Sequence, residues 1–250
     1  MIVLSAGMPR AGSAWHFNII HDLMATTGCA DVRDIRVKYR LQNILTEVNF
    51  NIGLLSARRL GMVTIPALMG NTFVIKAHTG PTRTSRLLLR LGLLRVSYIY
   101  RDPRDAMLSA FEYGQRALQT GHPNAFSHIT DFNKSLDFIM HYVRIWEKWT
   151  NESNVFTTRY EDLVTKYDNE VNRLVGFLRL NGSSPETRAE PSQSVQKVID
   201  SYRPGAAEGQ ESLHFHKGRI GRFREAYNTD EQAVLRDRLG SYLPRMGYEA

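Results

Sequence analysis

Residues 2–15 read Ile-Val-Leu-Ser-Ala-Gly-Met-Pro-Arg-Ala-Gly-Ser-Ala-Trp, and the reading of this stretch decides the fold. Ile2 to Ser5 is a short apolar run closed by glycine, as a buried strand requires, and Ala14 to Thr26 has the apolar spacing of a helix ending near Gly28. Between them, Gly7 to Gly12 forms a loop. Glycines let several N–H groups turn inward and the following helix adds its positive N-terminal end, so strand, loop and helix together make an anion cradle. A nucleotide kinase needs Gly-x4-Gly-Lys-Ser/Thr here, with the lysine on the terminal phosphates and the hydroxyl on magnesium. In this chain Gly12 is followed by Ser13-Ala14, and the basic residue, Arg10, lies inside the loop. The loop is expected to hold a phosphate, but not a magnesium-bound triphosphate. A merely tight turn is the competing reading of the motif taken alone.

Working outward, Thr72 to Ala77, Arg95 to Tyr100 and Asn154 to Thr158 are β-branched and aromatic, and read as three more buried strands. Helical patterns separate them at Ser85 to Leu94, Pro103 to Tyr113, Phe132 to Asn151 and Asp168 to Leu180. Such alternation predicts an α/β fold with a central parallel sheet flanked by helices. Asp34 to Leu60 is mixed and reads as an excursion outside the sheet, and Asn181 to Ser194 reads as a loop. No linker divides the chain, so residues 1–250 are expected to form one domain.

Composition narrows the classes further. With 42% hydrophobic and 23% charged residues the chain is neither disordered nor a coiled coil, and its single cysteine excludes an intrachain disulfide and a thiolate zinc site. The formal charge is +7, and 25 of the 32 basic residues are arginine. Arginine suits oxyanions, and its scatter along the chain favours an anionic small molecule over nucleic acid. The most apolar stretch, Leu87 to Tyr100, is interrupted by Arg90 and Arg95, so no membrane span is expected. The N-terminus does not read as a signal peptide, and a cytoplasmic location follows as an expectation.

Three further motifs carry chemistry. Lys76-Ala77-His78 ends a predicted strand, where open α/β sheets bind ligands, although either residue alone is more often structural. Arg101-Asp102-Pro103-Arg104-Asp105 leads from a strand into a helix. Capping explains Asp102 and Pro103 but not Arg101, and Ser109 follows two turns on. His214-Phe215-His216-Lys217-Gly218-Arg219-Ile220-Gly221 is basic and glycine-bearing, suited either to a solvated loop or to closure over an anion.

In this order the motifs resemble the sulfotransferases that use 3′-phosphoadenosine 5′-phosphosulfate (PAPS), whose fold is P-loop-NTPase-like. Met8 to Trp15 resembles their Tyr-Pro-Lys-Ser-Gly-Thr-Thr-Trp loop, and Ile75-Lys76-Ala77-His78 their Lys-Thr-His. Arg101 with Ser109 resembles their 3′-phosphate pair, Trp146 to Trp149 and Arg159-Tyr160-Glu161-Asp162-Leu163 two further segments, and Phe215 to Gly218 with Gly221 their C-terminal Arg-Lys-Gly loop. The resemblance covers residues 2 to about 227 and implies PAPS as donor, PAP as product and no metal. It implies His78 as general base, with Lys76 and Arg10 neutralising charge at the leaving 5′-phosphate. It further implies that Ala11, Gly12, Ser13 and Ala14 bind the 5′-phosphate, Trp15 stacks on adenine, and Arg101, Ser109, Tyr160, His216, Lys217 and Gly218 complete the cofactor site. Arg10 and His216 depart from the family's lysine and arginine, and the family's dimer motif is not visible after Arg224. A P-loop-type small-molecule kinase and a non-catalytic PAP or polyanion-binding protein are the rival readings.

The acceptor, a small molecule, sugar, lipid or peptide, is left open. Tyr39 to Gly61, Thr79 to Arg86, Tyr113 to Ile129 and Asn181 to Ser194 flank the motifs and are expected to wall its pocket. Phe50, Phe111, Tyr113 and Phe126 would favour an apolar acceptor, whereas Arg58, Arg59 and Arg83 would favour an anionic sugar.

Overall fold

β1 (Ile2–Gly7), β2 (Phe73–Ala77), β3 (Leu94–Tyr100) and β4 (Val155–Arg159) pair in parallel in the order β2-β1-β3-β4. The computed structural model describes residues 1–180, 191–205 and 219–249. β1 lies between β2 and β3 and is buried along its whole length, which is why its sequence is a continuous apolar run rather than an alternating one. The chain leaves β1 toward β2 and then passes back over β1 to β3, so the strand order reverses between β1 and β3. Open α/β sheets bind ligands at such a switch point.

The helices are α1 (Ser13–Ala25), α2 (Val32–Lys38), α3 (Ala57–Leu68), α4 (Arg83–Arg90), α5 (Pro103–Gln119), α6 (Phe132–Thr150), α7 (Tyr160–Thr165), α8 (Tyr167–Leu178), α9 (Gln193–Ser201), α10 (Phe223–Ala226), α11 (Thr229–Leu239) and α12 (Leu243–Met246). Two differences from the sequence reading have local causes. α4 starts at Arg83 because Thr82 and Ser85 form a reciprocal capping box, and Leu94, expected in that helix, opens β3 instead. α5 runs on beyond Tyr113 through Gly114, where a Cβ would meet the Phe126 carbonyl oxygen at 2.2 Å. Glycine there admits the 121–131 connection against the helix rather than ending it.

The excursion at 34–60 contains most of α2, a single bridge between Asn51 and Lys76, and the start of α3. Most of the loop expected at 181–194 lies outside the described residues, and its last two positions, Gln193 and Ser194, open α9.

A polar relay crosses the core beneath β1. His16 on α1 shares hydrogen bonds with Ser5 on β1 (3.0 Å) and Ser97 on β3 (2.8 Å), and all three residues are buried. Burial, reinforced by the Lys76 charge, pulls the His16 pKa down to about 3, so the ring is a neutral bridge.

Candidate functional site

Because the strands are parallel, their four carboxyl ends lie on one edge of the sheet, and each delivers one motif. β1 leads into the glycine loop, β2 ends in Lys76-Ala77-His78, β3 gives Arg101, and β4 gives Tyr160. The register sets Ser5 beside Lys76, Gly7 beside Ile99 and Tyr100 beside Arg159.

The loop has the strained geometry of a cradle. Arg10 and Gly12 both take left-handed backbone angles, φ 64 and φ 76. A Cβ on Gly12 would meet the Tyr160 ring at 2.8 Å, so glycine is required by both conformation and space. No side chain caps α1, and among the described residues the N–H groups of Gly12, Ser13 and Ala14 have no acceptor. Four orphan donors are normal at a helix start, and here they face the crevice edge of the sheet.

Lys76 is 5% exposed, and its ammonium has no hydrogen-bond or ion-pair partner among the described residues. Burial pulls its pKa down to about 8. His78 is half-buried beside it, with Nδ1 2.7 Å from the Gly7 carbonyl oxygen. A carbonyl can only accept, so Nδ1 carries the proton and Nε2 is left with a lone pair. Burial and the Lys76 charge hold the ring pKa at about 4, against the opposing effect of the Gly7 hydrogen bond. The result is a neutral imidazole with a fixed tautomer.

Arg101 is 7% exposed. Its Nη2 donates to the Arg219 carbonyl at 2.7 Å and to Asp105 Oδ2 at 3.3 Å, and its guanidinium lies 4.6 Å from the Tyr160 ring centre. Its Nε is buried without a partner among the described residues. Arg10 reaches the same region: its Nε donates to Ser109 Oγ at 3.2 Å and its guanidinium lies over the Tyr113 ring at 4.3 Å. The glycine loop, Lys76, His78, Arg101, Ser109 and Tyr160 are thus brought together. His216, Lys217 and Gly218 lie outside the described residues.

Trp15, the expected adenine platform, is packed at the start of α1. At 5% exposure, its ring stacks on Tyr167 (centroids 6.0 Å, 12° between planes) and its indole N–H donates to the Tyr202 carbonyl at 3.1 Å. It acts as a packed anchor between α1, α8 and the end of α9.

A cavity of about 670 Å³ opens beside His78, lined by Pro9, Ala125, Phe126, His128 and five residues of α6. Its aromatic wall is continuous: Phe126 meets Phe138 edge-on at 5.7 Å, and Phe138 meets Tyr142 at 4.9 Å. Of the segments expected to wall a pocket, residues 113–129 contribute, whereas residues 39–61 and 79–86 do not line it. Phe50 instead packs on Phe17 in the core, and Phe111 and Tyr113 lie off the cavity. Arg59 is spent on the carbonyls of Ile44 and Ile52, and Arg58 and Arg83 are exposed away from it. The α6 contribution was missed, although Lys134, Phe138, His141 and Tyr142 recur at the three- and four-residue spacing of one helix face.

A glycine loop at a β1/β3 switch point, with the buried cations Lys76 and Arg101 on the flanking strand tips, defines an α/β protein with a basic crevice at the carboxyl ends of its sheet. The chain belongs to the sulfotransferase domain family, whose model matches residues 2–226. A stretch of 107 residues is 33% identical to cytosolic sulfotransferase 1 of Danio rerio, covering 41% of this chain and 36% of that relative. The fold is similar to that of a mouse sulfotransferase, SULT7A1, solved with PAP (TM-score 0.54, 15% identity, 97% of this chain and 84% of that one). It is also similar to retinol dehydratase solved with androsterone and PAP (TM-score 0.57, 15% identity, 97% and 80%). Among the described residues no helix is long and apolar enough to cross a membrane.

Proposed function

We propose that this protein transfers the sulfuryl group of PAPS to a hydroxyl or amine of an acceptor seated in the cavity beside His78, and releases PAP. The observation that carries the reading is Arg101, a buried cation on a strand tip whose Nε has no partner among the described residues. A buried, incompletely satisfied guanidinium beside an uncapped helix start fits an anion with two phosphates. Bound PAPS supplies the activated sulfuryl group. The N–H groups of Gly12, Ser13 and Ala14 serve the 5′-phosphate, and Arg101 with Ser109 serves the 3′-phosphate. His216, Lys217 and Gly218 are assigned to that end by family resemblance alone.

His78 takes the acceptor proton at Nε2, because Nδ1 is committed to Gly7 and the ring is neutral. A well-placed base of this kind is worth about 10² to 10⁴ in rate. Lys76 supplies positive charge next to it, and Arg10 supplies a second from the loop. Loss of one such electrostatic donor typically raises a barrier by about 2.7 to 4 kcal/mol. The aromatic wall formed by Phe126, Phe138 and Tyr142 suits an apolar, ring-bearing acceptor. Chemistry of this kind, with guanidinium and ammonium groups neutralising the leaving phosphate, calls for no metal ion. Residues 1–250 act as one domain in this reading, and the reaction suits a cytoplasmic setting.

The experiment is calorimetry followed by turnover. PAP binds the wild type, Arg101→Ala weakens it sharply, and His78→Ala binds PAP but loses turnover. Magnesium-dependent ATP binding in place of PAP binding would return the kinase reading.

A further inference from the structure

Asp105 stands one turn after Arg101 on α5 and is 1% exposed. Its carboxylate accepts three hydrogen bonds. Oδ2 takes the Gly221 N–H at 2.7 Å and Arg101 Nη2 at 3.3 Å, and Oδ1 takes the Phe223 N–H at 3.0 Å. Two of these donors are backbone amides from the far end of the chain. Glu112, two turns further along α5, pairs with both terminal nitrogens of Arg222. Arg101 itself closes the circuit by donating to the Arg219 carbonyl at 2.7 Å. Residues 219–223 are therefore fastened along one face of α5, the face that also carries Ser109.

We propose that Asp105 is a positioning residue for the nucleotide site: it sets the orientation of Arg101 and anchors the 219–223 segment against which that guanidinium is braced. The inference rests on the assignment of Arg101 to the 3′-phosphate. One terminal nitrogen of Arg101 is held between Asp105 and Arg219, and its face is laid over Tyr160, so the group has lost its freedom to turn before any ligand arrives. Ordering a long side chain in advance removes that entropic penalty from binding.

A competing effect runs the other way, since a carboxylate repels a nearby phosphate. Geometry decides against it. The Asp105 charge is shared among three donors, and neutralising it strands buried N–H groups. Asparagine cannot substitute: donors face both carboxylate oxygens, so its single oxygen serves one side and its NH₂ meets a donor on the other.

The test is titration calorimetry of the full chain with PAP and with adenosine 5′-monophosphate, which lacks the 3′-phosphate. The wild type prefers PAP. Asp105→Asn loses at least tenfold in PAP affinity while its affinity for the monophosphate stays within twofold, a selectivity that general loosening of the fold does not produce. Should circular dichroism show that Asp105→Asn does not fold, Gly221→Ala replaces it. That variant forces a side chain into φ 79, disturbs the same anchor from the opposite side, and lowers the PAP preference at least threefold. A folded Asp105→Asn, or in its absence Gly221→Ala, that keeps the wild-type preference overturns the positioning role and leaves Arg101 untouched. A wild type without any preference for PAP overturns the assignment of Arg101 and this inference with it.

Discussion

Arg10 Nε donates to Ser109 Oγ at 3.2 Å, joining the loop after β1 to the second turn of α5. The two residues belong to opposite ends of the proposed nucleotide, so the group meant for its 5′ side already touches the group meant for its 3′ side. Lying on the Tyr113 ring as well, the Arg10 guanidinium is held by α5 as much as by its own loop.

Ser109→Ala removes both a proposed phosphate ligand and the acceptor of Arg10. A hydrogen bond to a charged group is worth about 1.5 to 3 kcal/mol, so PAP affinity is expected to fall about tenfold or more. Calorimetry checks this, and a change of less than twofold would rule out Ser109 as a ligand.

Gly12→Ala places a Cβ within 2.8 Å of Tyr160 at φ 76. Left-handed strain alone is worth on the order of 1 kcal/mol, and the clash adds to it. The variant should melt at a lower temperature and lose measurable PAP binding. Full binding at wild-type stability contradicts the geometry of the loop.

His16 and His78 have folded pKa values of about 3 and about 4, below the 6.5 of a free histidine. The fold prefers both rings neutral, so their contribution to stability is present above pH 6.5 and drains away as pH falls toward 4. The slope is roughly 1.4 kcal/mol per pH unit for each ring. Urea unfolding at pH 7, 6 and 5 should show the decline, and His78→Gln should flatten it. Equal stability at pH 7 and pH 5 contradicts the burial of these rings.

Lys76 works in the opposite range. With its pKa held near 8 in the free protein, it loses charge as pH rises through that value, and PAP affinity should decline with it. Lys76→Arg should bind PAP with the alkaline decline abolished. A decline that persists in that variant points to another group.

The C-terminal segment also bears on the site. Tyr248 OH donates to Glu161 Oε2 at 2.7 Å, Glu161 Oε1 accepts the Asp102 N–H at 3.1 Å, and Asp102 caps α5 directly after Arg101. Tyr248→Phe leaves a buried carboxylate short of a donor. It should destabilise the protein by about 1 to 3 kcal/mol in denaturant unfolding. A loss below about 0.5 kcal/mol, the scatter of surface substitutions, would show the contact to be incidental.

The sheet and the strand-tip motifs were legible because their signals are local. A buried parallel strand is a continuous apolar run, and a glycine loop between strand and helix is contiguous in sequence. Lys76, His78 and Arg101 could be placed together because parallel strands end on one side. The cavity was not legible in the same way, since α6 reaches His78 only through tertiary packing that Gly114 permits. The packing of Trp15 was not legible for a related reason: its partners, Tyr167 and Tyr202, are more than 150 residues away in sequence. Nothing in the local sequence distinguishes Asp105, because its backbone donors, Gly221 and Phe223, lie 116 and 118 residues away.

The relay from Ser5 through His16 to Ser97 gives α1 a single permitted angular setting. Each residue of slip turns a helix by about 100°, which would swing the imidazole off both hydroxyls and strand them in the interior. The helix whose first amides form the cradle is thereby keyed like a shaft in its slot, and its aim is fixed from below, on the side that no ligand touches.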